Sequence, residues 1–176
     1  MQKQLLITAT GNDRVGIVED VTKIILAHQG NVDASRMAHL GGEFAMLMLV
    51  STSEEHLAHL QEDLKSLSSQ GFDLSTRLTE RSSAPKFDGW RSYQINVRGA
   101  DHEGIIHEIT HYLAQQEINV ETIDTGTEDA PFGGKLFTMC ATVLTSPTMS
   151  LAILQEELAA VGDQLNVDVT VEPLAD

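Results

Sequence analysis

Residues 107–111 read His-Glu-Ile-Thr-His. Two imidazoles one helical turn apart, with a carboxylate beside the first, form the donor pattern of zinc hydrolases, in which both rings reach one metal and the glutamate acts as base. Five residues are a short string, so the surroundings decide. Counting from Ile105 at about 100° per residue, Ile109, Leu113 and Ile106 fall near 40°, 80° and 100°, and His107 and His111 near 200° and 240°. The helix predicted here turns both histidines away from its apolar stripe. The run YLAQQEINVE that follows lacks the G-x-x-H continuation of one zincin class, and Glu117, Glu121 and Glu128 have no fixed place as further ligands. A catalytic zinc needs three protein ligands and a water-excluding cleft. No catalytic residue, resident metal or cofactor is therefore expected, and the histidines read as a solvated face with some capacity for surface metal binding.

A second pair of segments has more to offer. GNDRVGIV (11–18) and GADHEGII (99–106) each place a glycine-flanked turn where a predicted strand meets a predicted helix. Such a turn presents unpaired backbone N–H groups, and the helix dipole favours a negative group there. A small carboxylate fits that corner, and an amino acid finds an acceptor for its ammonium in Asn12, Asp13 or Asp101. A purely structural reading stands beside it: Asp13 and Asp101 cap their helices, and Gly16 and Gly104 allow close helix–sheet packing. No G-x-G-x-x-G or Walker pattern occurs, so no nucleotide site is indicated.

The two segments belong to an internal repeat. QLLITATGNDRVGIVEDVTKIILAHQGNV (4–32) aligns with SYQINVRGADHEGIIHEITHYLAQQEINV (92–120) at an offset of 88, and GGEFAMLMLVSTS (41–53) aligns with the region after Gly133 at an offset of 93. The second copy carries five extra residues near EDAPF (128–132). Glu19 and Lys23 stand where His107 and His111 stand. Each copy predicts the same order. QLLITATG alternates as a strand; Ile17, Val21, Ile24 and Ile25 recur at helical spacing, with Asp13 as cap and Gly30 as stop. NVDASRMAHL and EFAMLMLVS read as a hairpin about Gly41-Gly42. A helix with Leu57, Leu60, Leu64 and Leu67 on one side follows, with Ser53 able to cap it, and FDLSTRLTE closes as a strand. The order is βαββαβ, the ferredoxin-like unit: an α+β fold with an antiparallel sheet and helices on one face. RSSAPKFDGW (81–90) reads as the joint.

The 176 residues are 41% hydrophobic and 21% charged, with a net charge of −15. Residues 1–88 hold 8 basic and 12 acidic side chains, and residues 89–176 hold 3 and 14. Such a surface repels phosphate backbones, so direct nucleic-acid binding is not expected. No stretch has the ~20 apolar residues of a membrane span, and no signal peptide is read at the N-terminus. The single Cys140 excludes an internal disulfide and suits a reducing cytoplasm. Within the apolar run LFTMCATVL, it reads as a buried small hydrophobe.

DRVGIV and DHEGII, each following a strand and opening a helix in a βαββαβ unit whose second strand begins Asn-Val, resemble the ACT domain, a regulatory module that typically binds amino acids. The resemblance covers nearly the whole chain as two copies, residues 1–82 and 92–176, with a linker at 83–91. A tandem pair of this length resembles the glycine cleavage system transcriptional repressor group, regulators without a DNA-binding domain. The first copy also resembles the ACT domain of formyltetrahydrofolate deformylase, whose Asp-His-Asn catalytic domain has no counterpart here. The resemblance implies two ligand pockets, one at Asn12, Asp13, Arg14, Val15, Gly16 and Ile17, the other at Ala100, Asp101, His102, Glu103, Gly104 and Ile105. In ACT domains the ligand commonly lies where the turn of one unit faces the second strand of another, so Asn31, Val32, Asn119 and Val120 are implied second walls. Arg14 is the expected partner of a ligand carboxylate. Copy two has His102 there and Glu103 in place of Val15, which makes its pocket more acidic. The implied protein is a cytoplasmic, non-enzymatic, amino-acid-responsive regulator. Its implied partners are a small amino acid, glycine first, and a DNA-binding transcriptional activator protein; a homo-oligomer is compatible with this. GTEDAPFGGK (126–135), present in copy two alone, is expected to be a long loop tipped by an exposed Phe132.

Overall fold

The computed structural model describes residues 1–79, 87–131 and 133–174. The chain divides into two compact units, Met1–Ser83 and Ala84–Asp176. Unit 1 runs β1 (Gln2–Asn12), α1 (Ile17–Ala27), β2 (Asn31–Leu40), β3 (Glu43–Ser53), α2 (Glu54–Ser66), a 3-10 turn (Leu67–Gln70) and β4 (Phe72–Thr79). Unit 2 runs β5 (Arg91–Ala100), α3 (Ile105–Gln115), β6 (Asn119–Asp129), β7 (Lys135–Thr145), α4 (Leu151–Leu165) and β8 (Val167–Pro173). The sheets are four-stranded, ordered β2-β3-β1-β4 and β6-β7-β5-β8, with antiparallel neighbours throughout. This is the βαββαβ order twice, an α+β fold. No helix among the described residues is long and apolar enough to cross a membrane.

Period-two alternation builds each sheet face. In β1, Leu5, Ile7 and Ala9 are buried, and they meet Val21 and Ile25 of α1 and Leu60 and Leu64 of α2 in one core. Unit 2 has its own core, in which Ile95 and Val97 of β5 meet Ile109 and Leu113 of α3 and Leu154 and Leu158 of α4. Burying one such leucine or isoleucine contributes roughly 1.5–3 kcal/mol, so the helices are held to one face of each sheet chiefly by these rows. The β2–β3 hairpin turns at Gly41 and Gly42, with φ of 61° and 90°. Two positive φ values in a two-residue loop suit the right-handed twist of the strands and favour glycine. Both second strands carry a bulge at the same place, between Val32 and Ala34 and between Val120 and Thr122.

Several sequence expectations need correction. Cys140 is exposed. In β7, Phe137, Met139, Ala141 and Val143 are the buried set, so alternation puts Cys140 on the opposite face with Thr138 and Thr142. In α3, Tyr112 is buried and Ile106 is 42% exposed; the phenol reaches Glu157 of α4 at 2.8 Å, so the inward stripe includes Tyr112 and omits Ile106. Burial pushes the Tyr112 hydroxyl well above its usual range, and the Glu157 hydrogen bond adds to this. The stop after α1 is made by Gln29, whose φ is 53°. Gly30 does a different job, since a Cβ there would lie 2.8 Å from Cγ2 of Ile25. Ser53 stands at the N-cap of α2, but its hydroxyl makes no cap bond and is buried without a partner. Half of the stretch 126–135 is strand: β6 runs to Asp129 and β7 starts at Lys135, with an ion pair of 2.6 Å between those two residues. The five extra residues lengthen a hairpin. Phe132 and residues 83–86 of the expected linker lie outside the described residues. Phe87–Gly89 form a turn, closed by the Trp90 N–H donating to the Phe87 carbonyl at 3.1 Å.

Candidate functional site at two strand-to-helix turns

Both turns are anchored at their first residue. The N–H of Asp13 donates to the Gly42 carbonyl at 3.2 Å, and the N–H of Asp101 donates to the Lys135 carbonyl at 2.9 Å. Each turn is thus tied to the end of the neighbouring hairpin. The helix N-caps are Gly16 and Gly104, at φ 91° and 95°, and neither helix has a side-chain cap bond. The expectation that Asp13 and Asp101 cap the helices is corrected: the left-handed glycine comes three residues later and carries the chain into the helix. Asp13 instead points its carboxylate at His39, 3.7 Å away. The expectation that Gly16 and Gly104 serve close packing also fails. A Cβ on Gly104 would meet nothing within 4 Å, and one on Gly16 only the end of Arg14 at 3.9 Å. The positive φ is the reason for glycine at both. Close approach belongs to Gly11 and Gly99, where a Cβ would lie 2.6 Å from Phe72 and from Val167 respectively.

The second position of each turn holds a cation engaged within its own unit. The Arg14 guanidinium donates to Asp20 at 2.6 Å and to the Gln70 side chain at 2.8 Å, and it lies 5.4 Å from the centre of the Phe72 ring. Beneath it is a small apolar cavity lined by Ala9, Ile17, Met46 and Leu74, among others. In unit 2, His102 lies within 2.7 Å of the Leu165 carbonyl through Nε2 and within 2.9 Å of the Glu103 carbonyl through Nδ1. The strand register makes these latches equivalent: Gly11 faces Phe72 as Gly99 faces Val167, so Gln70 and Leu165 precede matched positions. Each cation ties its turn to the end of the unit's second helical segment. Donating to both carbonyls at once requires the imidazolium. The hydrogen bond to Leu165, then that to Glu103, raises the His102 pKa above 6.5 against an opposing desolvation, with a smaller contribution from Asp101.

The predicted site residues separate into groups. Arg14 and Ile17 line the apolar cavity of unit 1, and Val15 is fully exposed beside it. Asn31 and Val32 line a different hollow, with Glu19, Lys23 and Leu26 along α1. The Asn31 amide donates to Asp33, which also accepts from Ser51, so Asn31 pins the bulge. In unit 2, Asp101, His102, Glu103, Gly104 and Ile105 share one open hollow with Ile106, His107 and Phe137. Ala100 ends β5 opposite Leu136, and Asn119 and Val120 open β6 outside that hollow. The residues that sequence reasoning missed are Asp20, His39, Gln70, Phe137 and the Leu165 carbonyl. His39 and Gln70 reach the turn only through sheet pairing and helix packing. Asp20 was one position from a recognised helical residue, and its acidic place in the first turn was the available signal. His107 and His111 are both exposed, and among the described residues no group of three or more His, Cys, Asp or Glu side chains is placed to hold a metal ion.

Comparison with known proteins agrees with this architecture. A family model for the ACT domain matches residues 3–79. The glycine cleavage system transcriptional repressor of Escherichia coli (strain K12) is 30% identical over 129 residues, covering 73% of this chain and 67% of the relative. A crystal structure of a protein of unknown function from Galdieria sulphuraria is 34% identical, with a TM-score of 0.84 over 99% of this chain and 100% of the other. A crystal structure of a candidate glycine cleavage system transcriptional repressor is 24% identical, with a TM-score of 0.74 over 100% of this chain and 99% of the other, and shares its fold. The chain is a tandem ACT-domain protein and belongs to the family of the glycine cleavage system transcriptional repressor.

Proposed function

We propose that this chain is a non-enzymatic regulator that takes a small amino acid, glycine first, at the turn Asn12–Ile17 and reports its presence to a DNA-binding transcriptional activator protein. The observation that carries the reading is the helix start behind Gly16, which has no side-chain cap. The amides of Ile17, Val18 and Glu19 can receive a carboxylate, and an ammonium group would draw the Asp13 carboxylate away from His39. The family relationship supports a regulatory role, since the Escherichia coli relative is named as a transcriptional repressor. Arg14 enters differently from the sequence expectation. It is held by Asp20 and Gln70, so it shapes the turn and pairs a ligand only after leaving them. The activator would meet the acidic second half of the chain, where 14 acidic side chains face 3 basic ones. Ligand binding regulates the contact only if the ligand prefers one arrangement of the protein over another.

Thermal unfolding against a panel of amino acids tests the ligand. One that binds only the folded state stabilises it by about 2.7 kcal/mol at a hundredfold excess over its dissociation constant. The reading predicts such a shift for a small amino acid and its loss in Asp13→Ala. A ligand-free scaffold is the second reading, favoured by the internal engagement of both turn cations, and it predicts no shift with any member of the panel. Charge reversal of exposed Glu and Asp in unit 2 tests the partner contact; binding and salt dependence left unchanged would remove the acidic half from the account.

A further inference from the structure

We propose that the exposed face of α3 is a binding site for one divalent late-transition-metal ion, chelated by His107 and His111. The rings lie with centroids 5.8 Å apart and planes within 20° of each other. A metal bonded to both at ~2.0–2.1 Å with a near-tetrahedral angle places the centroids about 5 Å apart and lies in the plane of each ring, so both exposed rings must rotate out of their stacked arrangement to aim a nitrogen at one ion. Exposure keeps the desolvation cost low, and imidazole suits zinc, nickel and copper over magnesium or calcium. Gln115 is the competing contact, 2.9 Å from His111 Nε2, and its amide must turn away for the metal to enter. Asp101, Glu103 and Glu108 near the start of α3 add a negative field that concentrates cations there. With two protein ligands, the remaining coordination positions go to water or to a small ligand. The clamp therefore differs from a catalytic zinc centre, which needs a third protein ligand, and it is independent of the amino-acid reading. His107 also lines the hollow of the second turn, so a bound metal would set a positive charge beside the carboxylates of Asp101 and Glu103. Unit 1 has Glu19 and Lys23 at the matching positions and supplies an internal control.

The test is a calorimetric titration of the full chain with zinc chloride, with imidazole signals followed by NMR and magnesium chloride as the comparison. The expected result is one zinc per chain, broadening or shifting of the His107 and His111 ring signals, and loss of that site in either His107→Gln or His111→Gln. A gain-of-site variant of unit 1, Glu19→His with Lys23→His, should raise the stoichiometry to two. Both pairs of positions face solvent, and far-UV circular dichroism checks that each variant folds. No saturable zinc binding, or binding that survives both histidine substitutions, would overturn the proposal.

Discussion

The two turns share a backbone and differ in their cation. Both leave a central strand, fasten to a hairpin end, enter a helix through a left-handed glycine, and send one side chain to the end of the second helical segment. In unit 1 that side chain is Arg14, a permanent cation stacked on Phe72 and paired with Asp20. In unit 2 it is His102, which makes the same connection through an imidazole whose pKa is raised by the carbonyls of Leu165 and Glu103. Duplication has kept the mechanical device and changed its chemistry. The open sheet faces diverge in the same way. Thr8 faces Leu47 and Leu6 faces Leu49 in unit 1; Asn96 faces Cys140 and Gln94 faces Thr142 in unit 2. Unit 2 thus holds its turn through His102 and the Leu165 carbonyl, without the arginine that unit 1 uses.

Substitutions test how far the two turns are alike. The largest effect belongs to the shared framework. Ile109→Ala, at a position with no exposure, should cost ~2–5 kcal/mol by urea denaturation. Ile106→Ala, three positions earlier and 42% exposed, should cost well under half of that. The device itself comes next. Gly16→Ala and Gly104→Ala should each cost about 1–2 kcal/mol through the left-handed backbone alone, because the space around them is open. A similar loss in both turns supports a common device, and a loss in one alone would separate them. The latches should then differ in pH response. A raised folded-state pKa means that the His102 contribution is complete below the unfolded value of 6.5 and disappears as the pH rises through the raised value. The melting temperature of the native chain should therefore exceed that of His102→Asn at pH 5.5, and the gap should shrink by pH 8. Arg14→Gln should show no such trend over that window. Its loss at constant pH should be the smallest effect of all, within ~1 kcal/mol, as befits a partly exposed ion pair.

The fold was legible because the chain states its pattern twice. The shared offset of 88 marks β1, α1 and β2 against β5, α3 and β6, and a strand or helix period seen in both copies is hard to produce by chance. What local pattern could not supply was partner geometry. Cys140 was misplaced because an apolar run has no visible alternation until its neighbours are known to face inward. Tyr112 was missed because its hydroxyl finds Glu157 on another helix. At the turns, the glycine and aspartate positions were legible but their roles were not: Asp13 looks like a cap in sequence, whereas the backbone begins its helix three residues later. Arg14 looked free to meet a ligand because Asp20, Gln70 and Phe72 reach it only after α1 and β4 have packed.

The proposed function requires an amino acid on the amides behind Gly16. Titration of the isotopically labelled chain with glycine, read at the backbone amides of Ile17, Val18 and Glu19 and at the matching Ile105, Ile106 and His107, tests it directly. Saturable shifts are expected at the first set, abolished by Asp13→Ala. Silence at both sets under saturating glycine and the other small amino acids, or shifts confined to the second set, would contradict it.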